Sequence, residues 1–498
     1  MSCLLPSNPR RVRWLAILIL WAGFALRAWN LGAASLWIDE VVTANRAKFP
    51  LKDSLGSIMM AGNQVPFYYL LLRGFPTHNE MLLRLPSAFA GTISIALVML
   101  TADRLYRNER LAVLAGALLA FNPLHIWLSR MARSYALLLA LSLLASYAFL
   151  EILRGERSRT VWTLFILSSA AAYLTHYFGL ILLFAQLAFL LVYRRANWYV
   201  ISRWAAAQFT AITPFLLWFL PLVLIDLFYP GTLIGKGVSW IPQPHLSDLP
   251  LTLGNMAVGF DGSQSWTFLP ALFAAAILIA TGLIYAFRRT DIYLYWFLLA
   301  ISLPLAVFVV STIKPLYVDR YFSIGLPAVL LLMLYGWQRL RYAALRWVLV
   351  GIILLTGAGS VLFILRQGAD EKTDWRGVAA YIRQTHRPGD GLLFEASHLR
   401  EPFEYYFGTD NMDALRPMTL SEAGNFGLPA MPKLARLWVV YPNPYIDTHR
   451  QGALPDFDPF APGASRMGDW LIEHRTAIIA QRDFNGIKLF LLSMEDGP

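Results

Sequence analysis

The sequence predicts a polytopic α-helical membrane protein with a soluble α/β domain at its C-terminal end. Three observations predict it. Hydrophobic residues make up 57% of the chain and charged residues 15%, against roughly 45–50% and about 25% in soluble proteins. Mean hydropathy is +0.50. Apolar runs of spanning length recur as far as residue 366 and then stop. At ~150 residues per domain, 498 residues would suit about three soluble domains, but this composition rejects that. The net charge of +11 would suggest nucleic acid only if it formed a basic face on a soluble domain; here the arginines sit between apolar runs, so no nucleic-acid partner is expected. The single cysteine, Cys3, excludes an intramolecular disulfide, a Cys-rich metal site and a CxxC redox motif.

A spanning helix needs ~20 mainly apolar residues. About eleven stretches qualify, near 12–30, 83–103, 110–127, 133–153, 161–177, 178–193, 204–228, 267–287, 292–313, 321–338 and 346–366. Arginines flank alternate connections: Arg10, Arg11 and Arg13; Arg104, Arg107 and Arg110; Arg154, Arg157 and Arg159; Arg194, Arg195 and Arg203; Arg288 and Arg289; Arg339, Arg341 and Arg346. Basic residues beside spans stay in the cytoplasm, so the N-terminus is expected inside and, with an odd count, the C-terminus outside. Gly32-Ala33-Ala34 before Ser35 would also pass as a signal-peptide cleavage site. Arg27 and Asn30 interrupt the apolar run before it, which favours an uncleaved first helix.

Two external stretches exceed simple connectors. Residues 31–82 carry Asp39, Glu40, Asp53 and Glu80 between apolar segments suited to short interfacial helices. Residues 229–266 are rich in Pro, Gly and Trp and could cover a cavity. The membrane part is thus expected over 1–366 and the soluble domain over 367–498, long enough for its own core. There, 375–382 and 470–474 read as helical, 387–390 as a turn, and 392–394, 437–441 and 487–492 as strands. The chain shows no GxGxxG, P-loop, HExxH or GxSxG.

Chemistry is therefore sought at the outer membrane edge. In Ser35-Leu36-Trp37-Ile38-Asp39-Glu40, two adjacent carboxylates can divide work, one removing a proton from an acceptor and the other orienting it or holding a cation. A solvated acidic pair is the bland alternative. Arg130 and Arg133, in Ser129-Arg130-Met131-Ala132-Arg133-Ser134-Tyr135, lie outside against the cytoplasmic bias of the other arginines, where a planar guanidinium suits a lipid phosphate. Lys314, Tyr317, Asp319, Arg320 and Tyr321 form a second such group. Snorkelling to headgroups would explain both. His176, in Thr175-His176-Tyr177, is a binding candidate at the external end of its span, with His125 a weaker one. No spacing specifies a metal site, although Asp39 and Glu40 could recruit a hard divalent cation.

These residues carry a family resemblance. Trp37-Ile38-Asp39-Glu40, Gln64-Val65-Pro66-Phe67-Tyr68-Tyr69-Leu70-Leu71, Arg84-Leu85-Pro86-Ser87-Ala88, Asn122-Pro123-Leu124-His125, the 129–137 segment, Thr175-His176-Tyr177 and Arg320-Tyr321-Phe322 occur in the order seen in bacterial GT-C glycosyltransferases. Over roughly 12–340 the chain resembles the family 39-like branch that includes protein O-mannosyltransferases and the lipid A aminoarabinose transferase.

The resemblance implies an integral enzyme of the cytoplasmic (inner) membrane. It would move a hexose or pentose from a polyprenyl-phosphate carrier to an envelope glycolipid, glycan or protein on the outer face. It makes Asp39 the base and Glu40 its partner; the outer-face cations Arg130, Arg133 and Arg320, with His176, are then expected at the donor phosphate, and Tyr135 and Tyr321 in the substrate cavity. Val65-Pro66 stands where related chains often have Pro-Pro or Lys-Pro, which leaves a phosphate contact from that loop open. Base attack opposite the leaving phosphate predicts inversion, with no cofactor beyond a possible divalent cation. The rival class, a transporter or lipid flippase, predicts ionisable groups near the midplane and paired broken helices in two halves.

Overall fold

The computed structural model describes residues 9–193, 198–229, 241–259, 268–289, 292–367, 373–420, 434–443, 457–461 and 465–494. Helix α1 (Pro9–Ala28) leads into three short helices, α2 (Ile38–Lys48), α3 (Leu51–Ala61) and α4 (Phe67–Leu72), which fill the first external stretch. The bundle continues with α5 (Glu80–Tyr106), α6 (Glu109–Ala120), α7 (Pro123–Ser129), α8 (Tyr135–Leu153), α9 (Arg159–Thr175), α10 (Ile181–Val192) and α11 (Trp198–Phe228). It closes with α12 (Asp248–Val258), α13 (Phe268–Arg289), α14 (Tyr293–Ser311), α15 (Gly325–Arg339) and α16 (Ala343–Gln367).

Each of the expected spans falls on helix, but the count of eleven is not established. Among the described residues six helices, α5, α8, α11, α13, α14 and α16, are long and apolar enough to cross a membrane, and a seventh span arises if the bent pair α6–α7 counts as one. The other expected spans lie on shorter or more charged helices. Helix α1 carries Arg10, Arg11, Arg13 and Arg27; α9 has 17 residues, α10 has 12 and α15 has 15. The expected 110–127 span bends by 63° because of its own sequence. Asn122 caps α7 by accepting the His125 N–H at 2.9 Å, and Pro123 at the first helical position cannot continue the α6 hydrogen-bond ladder.

Close helix contacts rest on glycine. Helices α13 and α15 cross where a Cβ on Gly336 would overlap the Leu278 carbonyl, so only a residue without a side chain permits that spacing. Gly91 on α5 likewise leaves room for Ser129.

The C-terminal region holds a five-stranded sheet in the order β2-β1-β3-β5-β4, formed by β1 (Gly391–Phe394), β2 (Arg416–Thr419), β3 (Arg436–Pro442), β4 (Ile478–Phe484) and β5 (Ile487–Ser493). Strand β1 runs parallel to β2 and β3, while β5 is antiparallel to β3 and β4, with Leu437 opposite Leu492. Side chains alternate between two cores. Leu392, Phe394, Trp438 and Val440 pack under α17 (Trp375–Thr385) and α18 (Arg400–Phe407), whereas Leu393, Leu437, Val439 and Phe490 face α19 (Arg466–Glu473). Burial on both faces explains why these strands read as continuous apolar runs. The expected strands and helices are found. Helix α18 and strands β2 and β4 were not expected; β4 is largely exposed and polar (Ile478-Ile479-Ala480-Gln481-Arg482-Asp483-Phe484), so it lacks that signal. In the expected cover over 229–266, residues 230–240 and 260–266 lie outside the described residues, and α12 lies within the described ones.

Candidate active site at the helix mouth

One end of the bundle gathers the end of α1, the start of α5, the α7–α8 turn, the end of α9 and the 319–322 turn before α15. Residues on these elements meet around Asp39. Helix α2 starts at Ile38, with Asp39 and Glu40 in its first turn and Arg46 and Lys48 in its last, as the helix dipole favours. Asp39 Oδ2 lies 3.6 Å from Arg133 Nη2, and the Asp39 side chain keeps 33% exposure. Arg133 Nη1 donates to the Asp39 carbonyl at 3.2 Å and to Thr43 Oγ1 at 3.3 Å. Its buried Nε has no hydrogen-bond partner among the described residues.

Around this pair stands an aromatic wall. The Arg133 guanidinium lies 5.9 Å from the Tyr135 ring, and the rings of Tyr135, His176 and Tyr321 lie within 5.8–6.1 Å of one another. His176 Nδ1 accepts the Phe178 N–H at 3.2 Å, which fixes the imidazole. Arg320 sits 5.5 Å from both the Trp37 and Tyr321 rings. Burial disfavours the charge on Arg320, but Tyr135, Tyr321 and Asp39 outweigh it and raise its pKa above the ordinary value. The structure therefore brings together Asp39, Arg133, Arg320, His176, Tyr135 and Tyr321.

Glu40 and Arg130 stand behind that group, engaged elsewhere. Glu40 is fully buried. Its Oε1 accepts from Arg84 Nε at 2.9 Å and from the Ala132 N–H at 2.7 Å, and its Oε2 accepts from Arg84 Nη2 at 2.7 Å. Arg84 also donates to the carbonyls of Leu31, Ala34 and Ser35. This bidentate pair ties α2, α5 and the arginine turn into one block. Arg130 Nη1 donates to the Trp29 carbonyl at 2.6 Å and, at 3.4–3.5 Å, to those of Leu26 and Arg27, capping the end of α1.

Sequence reasoning missed several contributors. Trp37 and Thr43 complete the surroundings of Arg320 and Arg133. Arg84, which opens the Arg84–Ala88 motif but is given no role there, is the clamp on Glu40. Arg27 donates to His125 Nδ1 at 2.6 Å and to the Gly23, Leu119 and Ala120 carbonyls, at the break between α6 and α7. His125 thus supports the fold below the site. In the second cationic group, Asp319 accepts from Thr252 Oγ1 at 2.6 Å and from Asn255, binding α12 to the 319–322 turn. Among the described residues no group of three or more His, Cys, Asp or Glu could hold a metal ion.

Residues 52–231 match the family described as Dolichyl-phosphate-mannose-protein mannosyltransferase. No curated protein matches the chain by sequence. Among solved structures, apo ArnT from Cupriavidus metallidurans is 14% identical with a TM-score of 0.61 over 96% of this chain and 98% of that one. The same protein bound to undecaprenyl phosphate gives 14%, 0.58, 96% and 97%. Archaeal oligosaccharyltransferase AglB from Archaeoglobus fulgidus, in complex with an inhibitory peptide and a dolichol-phosphate, gives 13% and 0.51 over 83% of this chain and 65% of that one. The chain thus has an ArnT-like fold along nearly its whole length, and its residues 52–231, from within the first external stretch through α11, are similar to the mannosyltransferase family.

Proposed function

We propose that the protein is a multi-pass membrane glycosyltransferase that moves a sugar from a polyprenyl-phosphate carrier to an envelope lipid, glycan or protein acceptor. The observation that carries this reading is the pairing of a part-exposed carboxylate, Asp39, with the buried Arg133 and the partly buried Arg320 at one mouth of the bundle. Undecaprenyl phosphate bound to ArnT and dolichol-phosphate bound to AglB supply the matching donor chemistry.

The roles divide by charge. Asp39 accepts the proton of the acceptor hydroxyl or amine as that atom bonds to the anomeric carbon. The bond from the anomeric carbon to the phosphate oxygen breaks, its electron pair stays on the lipid phosphate, and Arg133 and Arg320 stabilise the growing negative charge. The unpartnered Nε of Arg133 is a donor available for that oxygen. Attack from the face opposite the phosphate inverts the anomeric centre. Tyr135, Tyr321 and His176 form the apolar wall that strengthens these charges by excluding water. Glu40 positions Asp39 through Arg84 rather than sharing its proton chemistry. The site faces the outside of the cytoplasmic membrane, as the arginine distribution of the loops supports; the sugar is a hexose or pentose.

Purified protein supplied with a polyprenyl-phosphate sugar and an acceptor tests this. Release of polyprenyl phosphate that depends on the acceptor is the expected result. A protein that moves the intact lipid between leaflets without breaking the glycosyl bond would instead be the transporter.

A further inference from the structure

The segment that leads into α2 is held from both sides. On the membrane side Arg84 takes the carbonyls of Leu31, Ala34 and Ser35. On the other side the C-terminal region takes the same few residues. Tyr406 on α18 accepts the Leu36 N–H at 2.6 Å and donates to Glu80 Oε1 at 3.1 Å. Arg376 on α17 pairs with Glu80 Oε1 at 3.1 Å and donates to the Ala33 carbonyl. Ser35 Oγ donates to the Thr373 carbonyl at 2.6 Å. Tyr405 and Tyr406 also pack against the apolar cluster to which Leu36, Val41, Ala44 and Tyr68 belong. Three residues after Leu36 comes Asp39, and the residue between Leu36 and α2 is Trp37, against which Arg320 rests.

We infer that Tyr406 and Arg376, remote in sequence and outside the bundle, are positioning residues for Asp39, so that the C-terminal region forms part of the transferase site. This deepens the glycosyltransferase reading and rests on Asp39 being its base. The physical case is one of leverage. A peptide gripped only by Arg84 could pivot about that guanidinium, whereas a second grip at Ala33, Ser35 and Leu36 fixes the entry angle of α2 and with it the direction of the Asp39 carboxylate. Burial holds the Tyr406 phenol well above its ordinary pKa, so it keeps the proton it gives to Glu80.

The test uses the full chain in detergent or nanodiscs, with Tyr406→Phe and, as a second variant, Arg376→Gln. Both keep most of the packing and lose the grip. Each variant is expected to lower kcat about tenfold or more, as small misplacements of a reacting group do, while donor affinity stays within about twofold of the parent. Amide exchange over residues 33–44 should quicken. In an Asp39→Asn background the Tyr406→Phe change should cost nothing further, because no carboxylate remains to be aimed. Parental kcat despite faster exchange would overturn the proposal, as would equal losses of kcat and donor affinity, or the same fold loss in the Asp39→Asn background. If Asp39→Asn alone keeps parental turnover, the base assignment has failed, and that is visible before Tyr406 is touched.

Discussion

Arg133 grips Asp39 at its backbone more closely than at its carboxylate: Nη1 lies 3.2 Å from the Asp39 carbonyl oxygen, while Nη2 stands 3.6 Å from Oδ2. The main chain is anchored and the carboxylate is left turned toward the mouth. An acceptor proton and a donor phosphate could therefore be served by neighbouring groups without either being displaced. Asp39→Asn keeps size and removes the basic oxygen, so turnover should fall by at least ~10²-fold, the scale of general-base catalysis. Donor binding, read by lipid-phosphate titration, should be nearly unchanged.

Arg133→Gln and Arg320→Gln should each weaken donor binding by about tenfold or more, corresponding to one lost charge-assisted hydrogen bond of roughly 1.5–3 kcal/mol. Arg130→Gln separates the two expected roles of the arginine turn. It should lower the melting temperature, since it uncaps α1, and leave donor affinity alone. Equal affinity losses at positions 130 and 133 would return both to a shared phosphate role.

Glu40→Gln should cost stability before it costs chemistry. Removing one partner from a buried, hydrogen-bonded ion pair costs about 3–5 kcal/mol, and here Arg84 would be left charged with both members almost wholly buried. The expected result is a poor yield of folded protein, with donor affinity retained in the fraction that survives. A well-folded, inactive Glu40→Gln protein would instead give Glu40 a direct part in turnover.

The soluble region should lose stability in acid through Asp390. Burial alone would raise this carboxyl, but hydrogen bonds from Arg436, the Arg387 N–H and Trp438 more than offset it and hold its pKa below the ordinary carboxylate value. A depressed folded-state pKa gives stability that is complete above the unfolded value and is lost as pH falls through the folded one. Melting curves of the whole protein below about pH 4 should thus show the sheet region weakening first, and Asp390→Asn should flatten that dependence.

Topology is checked separately. A reporter that works only in the cytoplasm should be silent when fused at Pro498 and active when fused at the N-terminus. Activity at Pro498 would mean that the number of crossings is even or that the orientation is reversed.

Much of this was legible in the chain because membrane helices advertise themselves by composition, and because the candidate site residues Asp39, Arg133, His176 and Arg320 are polar exceptions at the ends of apolar runs. What escaped was partnership. Asp39 and Glu40 are neighbours in sequence, yet a helix turns them about 100° apart, so one faces the mouth and the other faces Arg84. Arg130 and Arg133 are likewise split by the turn that carries them. Crossing number was also poorly legible, since α9, α10 and α15 stop short of a bilayer's thickness and α1 carries four arginines. No pattern in the tail pointed to α18 as an element that touches the bundle, because Tyr405 and Tyr406 look like ordinary half-buried aromatics until their hydroxyl partners are known.

Arg27 gives the fold an order of assembly. Its guanidinium donates to the carbonyls of Leu119 and Ala120 at the α6–α7 break and to the ring of His125. Helix α1 leaves the ribosome about ninety residues before those partners exist, so during synthesis it waits in the lipid with a charge it can only turn toward the headgroups. Arg27→Leu should make α1 a better inserting segment taken alone, and leave the kink, still set by Asn122 and Pro123, without its tie to α1.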